Sequence, residues 1–134
     1  MITVVFLGGS SLLAQSWIKH DKFDCNFILG LHQRKLSQTK HKTLFLDYDD
    51  VDQIAIQLQS IKADVVINCI GLTSVEKCEE NYSLANQINI DIASKVATAC
   101  KKKRIKLVHI STDHLFDGTR AFSNEENQFS PLNI

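Results

Sequence analysis

The stretch Gly8-Gly9-Ser10-Ser11-Leu12-Leu13-Ala14 suits phosphate chemistry, because a glycine-led turn from strand to helix brings backbone N–H groups against an anion. A dinucleotide fingerprint carries glycine at its first, fourth and seventh positions, and here only Gly8 remains. Gly8 suits the tight turn. Ala14 is small enough for a helix to pack on a strand, whereas Ser11 adds a side chain where the backbone would approach pyrophosphate. The hydroxyls of Ser10 and Ser11, with the free N–H groups of the helix start at Leu12, can hold phosphate instead. The same residues also suit a plain turn with capping serines.

A second candidate follows the next apolar run, where a carboxylate would accept the ribose 2′-OH of NAD and a basic group would meet the 2′-phosphate of NADP. His32-Gln33-Arg34-Lys35 stands there with no carboxylate, so NADP is favoured over the alternative NAD, with Arg34 as the contact. A solvated basic loop is the competing explanation.

These residues need a scaffold, and short apolar runs at 2–7, 27–31, 43–46, 63–68 and 107–110 have the length and Val, Ile, Leu and Phe content of buried parallel strands. Between the third and fourth, Val51, Ile54, Ala55 and Leu58 fall on one helical face, with Asp49 or Asp50 placed to cap it. Leu84, Ile88, Ile92, Val96 and Cys100 form a stripe at four-residue spacing beside Ala85, Ala93 and Ala97, which predicts a long helix. A shorter helix is expected from about Ser11 to Lys19, and a single helical turn between Cys69 and Asn81. Strands alternating with helices imply an α/β doubly wound parallel sheet, a Rossmann fold, in the order 3-2-1-4-5. The pattern stops after Thr112, where Asp117-Gly118, Ser123-Asn124 and Ser130-Pro131 are turn signals, so the fold reads as incomplete at its C-terminal end.

Composition limits the partners. With 134 residues the chain suits one domain, and its fifteen basic and fifteen acidic residues give no net field towards nucleic acid or anionic membrane. Lys101-Lys102-Lys103-Arg104 reads as a helix end that complements the dipole. Cys25, Cys69, Cys78 and Cys100 show neither a CxxC pair nor zinc-ligand spacing, so they read as reduced thiols without metal, which favours the cytoplasm. No signal peptide or membrane span is expected, since Gly8 ends the first apolar run and no basic segment precedes it.

Two longer segments carry a family resemblance. Val66-Ile67-Asn68-Cys69-Ile70-Gly71-Leu72-Thr73-Ser74-Val75-Glu76-Lys77-Cys78-Glu79 resembles the segment after the fourth strand in dTDP-4-dehydrorhamnose reductases, a branch of the extended short-chain dehydrogenase/reductases. Ile110-Ser111-Thr112-Asp113-His114-Leu115-Phe116-Asp117-Gly118 resembles that family's Ser-Thr-Asp-Tyr-Val-Phe-x-Gly stretch, with His114 in place of tyrosine. Glu125 and Pro131-Leu132-Asn133 match the approach to its Tyr-x-x-x-Lys motif. The resemblance implies hydride transfer from nicotinamide to the ketone of a nucleotide-linked sugar, with Thr112 as the hydroxyl member of a Ser/Thr–Tyr–Lys set. It also implies cofactor contacts from Asp47 and Tyr48 after the third strand, from Cys69-Ile70-Gly71, and from Ser111. Asn89 is implied to hold backbone near the site. Capping or turn roles remain open for Asp47, Ser111 and Thr112, and a plain strand-ending turn for Cys69-Ile70-Gly71. The family tyrosine is expected directly after Ile134, so these 134 residues read as the dinucleotide-binding amino-terminal part of a longer reductase. An epimerase or dehydratase is the near relative, although dehydratases carry glutamate where His114 stands; a non-catalytic nucleotide-binding module is the other alternative.

Overall fold

The computed structural model describes residues 1–20, 22–32, 36 and 39–132. Five parallel strands, β1 (Ile2–Leu7), β2 (Cys25–Leu31), β3 (Lys42–Phe45), β4 (Val65–Asn68) and β5 (Lys106–His109), form one sheet in the order β3-β2-β1-β4-β5. This is the doubly wound order expected from the alternation of short apolar runs and helices. Each strand lies within two residues of its expected run. β2 begins earlier than its apolar run because Cys25 and Asn26 pair with Ile2 and Thr3, and Asn26 Nδ2 donates to Thr3 Oγ1 at 3.3 Å.

Alternation along β1 divides the core between the two faces. Val5 and Leu7 join Ile28 and Val66 in a cluster closed by Ile54, Ala55 and Leu58 of α2 (Val51–Ser60) and by Val96, Ala99 and Cys100 of α5 (Ile92–Lys103). Val4 and Phe6 join Phe27, Leu29 and Ile67 on the other face, under Ala14 of α1 (Leu12–His20). Fully burying one such side chain contributes roughly 1.5–3 kcal/mol, so the central strand anchors the domain.

Local signals set the helix ends. Asp50 caps α2, its Oδ1 accepting from Asp52 N at 2.7 Å and Gln53 N at 3.3 Å. Ser74 caps α3 (Val75–Glu80), and Asn81 caps α4 (Tyr82–Asn86), where the expected single turn is in fact a helix of six residues followed by a second start. Arg104 ends α5 in the left-handed conformation at φ 55°. The basic cluster there turns partly towards α2: Lys102 Nζ lies 2.7 Å from Asp52 Oδ1 and holds that carboxyl below its usual range.

The long helix departs from expectation. A π turn spans Gln87–Asp91, between α4 and α5. Apolar residues every four positions run ahead of a 3.6-residue turn, and a turn with hydrogen bonds to the fifth residue back absorbs part of the excess before Ile92, Val96 and Cys100, which pack on the core side of α5. Upstream of it the phase shifts by one residue, so Ala85 is buried while Leu84, expected on the stripe, is 38% exposed. Ala97 is likewise exposed.

Candidate functional site

At the carboxyl ends of the strands lies a cleft of about 320 Å³, within the range of ligand pockets. Two close backbone approaches set the turn beside it, and Gly8 is the one that lines it. Gly8 turns the chain out of β1 at φ +74°, and a Cβ there would stand 3.2 Å from the backbone of Cys69 and Ile70. Gly9 passes so close to β2 that a Cβ would lie 2.7 Å from Leu29 Cβ, and its N–H donates to Gly30 O at 2.9 Å. The second glycine, which the spaced fingerprint does not require, is thus the tighter of the two.

Ser11 begins α1. Its Oγ accepts from Ala14 N at 3.3 Å and its N–H donates to Gly8 O at 2.8 Å, which is the capping role left open for it. The N–H groups of Leu12 and Leu13 have no acceptor among the described residues and remain available at the positive end of the helix. The side chain of Leu12 is 87% exposed and does not line the cleft, so only its backbone suits a phosphate.

Of the expected contacts, Gly8, Ser10, Ser11, Tyr48, Cys69, Ile70 and Gly71 line the cleft together. Burial pushes the Cys69 thiol up, partly opposed by its hydrogen bond with Ser11. Tyr48 is 3% exposed, its hydroxyl has no partner among the described residues, and burial pushes it well above the usual phenol range. Asp47 is exposed and its Oδ1 accepts from Asp49 N at 3.0 Å, an arrangement that shapes the turn before Asp50. Arg34 lies outside the described residues.

Ser111 and Thr112 do not line the cleft. Thr112 is exposed, and its Oγ1 accepts from His114 N at 3.2 Å, capping the short 3-10 turn Asp113–Leu115. The hydroxyl therefore follows the carboxyl end of β5 and caps a turn as an acceptor, which leaves its own proton to donate.

Asn89 does what the resemblance implies. Its Oδ1 accepts from Leu72 N at 2.8 Å and its Nδ2 donates to Leu72 O at 3.2 Å, so one side chain satisfies both backbone groups of the loop that follows Gly71. It does so from within the π turn. A second clamp lies below: Asn68, 1% exposed, accepts from Ile70 N at 3.1 Å and holds its Nδ2 3.1 Å from His109 Nδ1. Because Asn68 Oδ1 is engaged by an N–H, its amide must donate to His109, which fixes Nδ1 as the acceptor.

Gly30, Leu31, His32, Ile88 and Ile92 also line the cleft and were not among the expected cofactor contacts. His32 had a sequence signal, its place at the end of β2. The aliphatic residues had none beyond the apolar stripe, since they offer shape without distinctive chemistry.

The chain is 30% identical over 125 residues to a probable low-salt glycan biosynthesis reductase, Agl14, of Haloferax volcanii, covering 92% of this chain and 36% of that protein. A dTDP-4-dehydrorhamnose reductase of Clostridium acetobutylicum superposes with TM-score 0.79 at 27% identity, over 98% of this chain and 44% of that one. The Bacillus anthracis dTDP-4-dehydrorhamnose reductase, solved in complex with NADP, gives TM-score 0.80 at 25% identity, over 99% of this chain and 45% of that one. The chain thus spans less than half the length of these relatives. The model of the RmlD substrate binding domain matches residues 3–134, and the chain belongs to that family.

Proposed function

We propose that this chain forms the NADP(H)-binding part of a reductase acting on a nucleotide-linked 4-keto sugar. The observation that carries the reading is the cleft itself: a glycine floor at the carboxyl ends of β1 and β4, opened beside free N–H groups at the head of α1. The solved relative with NADP and the sugar-nucleotide reductases among the relatives support the cofactor and the substrate class. When bound, the dinucleotide supplies the hydride. The chain's part is to seat the pyrophosphate over Gly8 to Leu12, to line the cofactor with Cys69, Ile70 and Gly71, and to present Thr112 towards the substrate ketone. Asn68 and Asn89 keep the loop after β4 in place from either side. A tyrosine and lysine of the family's set belong, in this reading, to a longer product.

Four cysteines without disulfides suit a reducing compartment, and the cytoplasm is the location we assign. Among the described residues no helix is long and apolar enough to cross a membrane.

The cofactor assignment is tested by calorimetry. NADPH is expected to bind at least about tenfold more tightly than NADH, because a guanidinium at Arg34 pairs bidentately with a 2′-phosphate and no carboxylate stands beside it. Arg34→Ala should remove most of that difference. Equal affinities in the unmodified chain would defeat the NADP assignment.

A further inference from the structure

We propose that His32 is a specificity-determining residue whose Nε2 reads the 2′-position of the cofactor's adenosine ribose, so that the preference for NADPH over NADH grows as the pH falls. This rests on the reading of the cleft as a dinucleotide site.

The geometry fixes the tautomer. His32 Nδ1 lies 3.3 Å from Leu46 O, and a carbonyl oxygen only accepts, so Nδ1 carries a proton. The ring rests against Tyr48, with centroids 5.6 Å apart, and Tyr48 is itself fixed in the core beside Leu46 and Ile54. Nε2 is left without a partner among the described residues, on a side chain that lines the cleft at the end of β2. That end of the sheet is where a dinucleotide fold meets the ribose 2′-substituent.

The charge state of this one atom then selects the ligand. Neutral, Nε2 is an acceptor, suited to a 2′-hydroxyl and repelled by phosphate oxygens. Protonated, it is a donor with a positive charge, suited to a 2′-phosphate. Histidine is the side chain that ordinarily changes charge between pH 5 and 8.

The neighbourhood does not supply the switch by another route. Asp47, Tyr48, Asp49 and Asp50 are the titratable side chains on the connection packed against the ring, Asp50 being engaged as the cap of α2, and Cys69 is the one in the cleft after β4. The β1–α1 turn from Gly8 to Ser11 carries none, and Ile88 and Ile92 are apolar. On its own strand end His32 is followed by Arg34 and Lys35, both outside the described residues, whose charges stay constant over this range.

The test is calorimetry of the 134-residue chain with NADPH and with NADH at pH 8 and pH 5.5. The ratio of the two affinities is expected to rise about tenfold on acidification, the effect of one charge-assisted hydrogen bond. Two variants isolate the atom. His32→Gln keeps a polar side chain that cannot titrate, and His32→Asn keeps a donor for Leu46 O while removing the atom at the Nε2 position. In both, the ratio should stay level or fall on acidification, because the 2′-phosphate itself gains a proton near pH 6. A ratio that rises equally in the variants would assign the effect to another group and overturn the proposal, as would a level ratio in the unmodified chain. Arg34→Ala should lower the ratio at both pH values and leave its slope. If neither cofactor binds at either pH, the dinucleotide reading of the cleft fails first, and the proposal with it.

Discussion

Gly9→Ala should lower the melting temperature by roughly 5–15 °C and abolish dinucleotide binding at concentrations that saturate the unmodified chain. The added Cβ would stand 2.7 Å from Leu29 Cβ and 3.0 Å from Leu29 Cα. Leu29 is fully buried on a strand held by neighbours on both sides, so it cannot retreat. The turn must lift instead, breaking the bond from Gly9 N to Gly30 O and carrying the head of α1 away from the cleft. Overpacking of this kind typically costs about 1–3 kcal/mol. Gly71→Ala is the control: a Cβ there meets only Asn89 Oδ1, at 3.7 Å, so its stability change should stay within about 0.5 kcal/mol. Thermal melts of the two variants decide the matter. Equal melting temperatures would show that the β1–α1 turn is softer than the close approach implies.

No turnover is expected when the 134-residue chain is given NADPH and dTDP-4-dehydrorhamnose, even where the cofactor binds. Hydride addition to a ketone leaves an alkoxide that needs a proton, and a threonine hydroxyl only donates a hydrogen bond. The chain has two tyrosines, and neither Tyr48 nor Tyr82 is followed by lysine four residues on. Tyr48 is further disqualified by burial, which raises its pKa away from neutral pH and holds its proton more tightly. Loss of general-acid help alone costs about 10²- to 10⁴-fold, and loss of substrate positioning adds to that. In a longer product carrying the tyrosine and lysine, Thr112→Ala should cut kcat about 10²-fold while NADPH affinity is kept, since the role proposed for it is to donate to the developing oxyanion. The assay is NADPH oxidation followed by absorbance. Steady turnover by the short chain would mean that the proton comes from elsewhere, and full activity of the extended Thr112→Ala protein would take Thr112 out of the mechanism.

The sheet was legible in the sequence because parallel strands covered on both faces must be apolar throughout, and runs such as residues 2–7 have no other stable use. The helix caps at Asp50 and Ser74 act through local hydrogen bonds, and that of Asp50 was expected. The π turn was hidden. Four-residue spacing was visible, but an unbroken helix and a helix with one wider turn differ only in phase, and Leu84 and Ala85 are both apolar. At the site, residues with distinctive chemistry were found together, Gly8 and Cys69 among them, whereas Ile88 and Ile92 contribute only surface. Thr112 shows how one residue type serves two ends: its Oγ1 accepts from His114 N as a turn cap, and a hydroxyl that accepts still carries a proton to donate.

The order of the strands sets how readily each part of the site opens. Residues 4–7 of β1 are paired with both β2 and β4, while β5, among the described residues, is paired with β4 alone through four residues. Local opening is rarest where strands are held on both sides and commonest at the margins, so amides of β1 exchange with solvent only in the largest openings. Gly8 and Cys69 follow strands from the protected interior of the sheet; Ser111 and Thr112 follow its margin. In the 134-residue chain, the floor that would hold a cofactor and the hydroxyl that would meet a substrate thus belong to regions of different local stability, a difference that amide exchange on this chain reads directly.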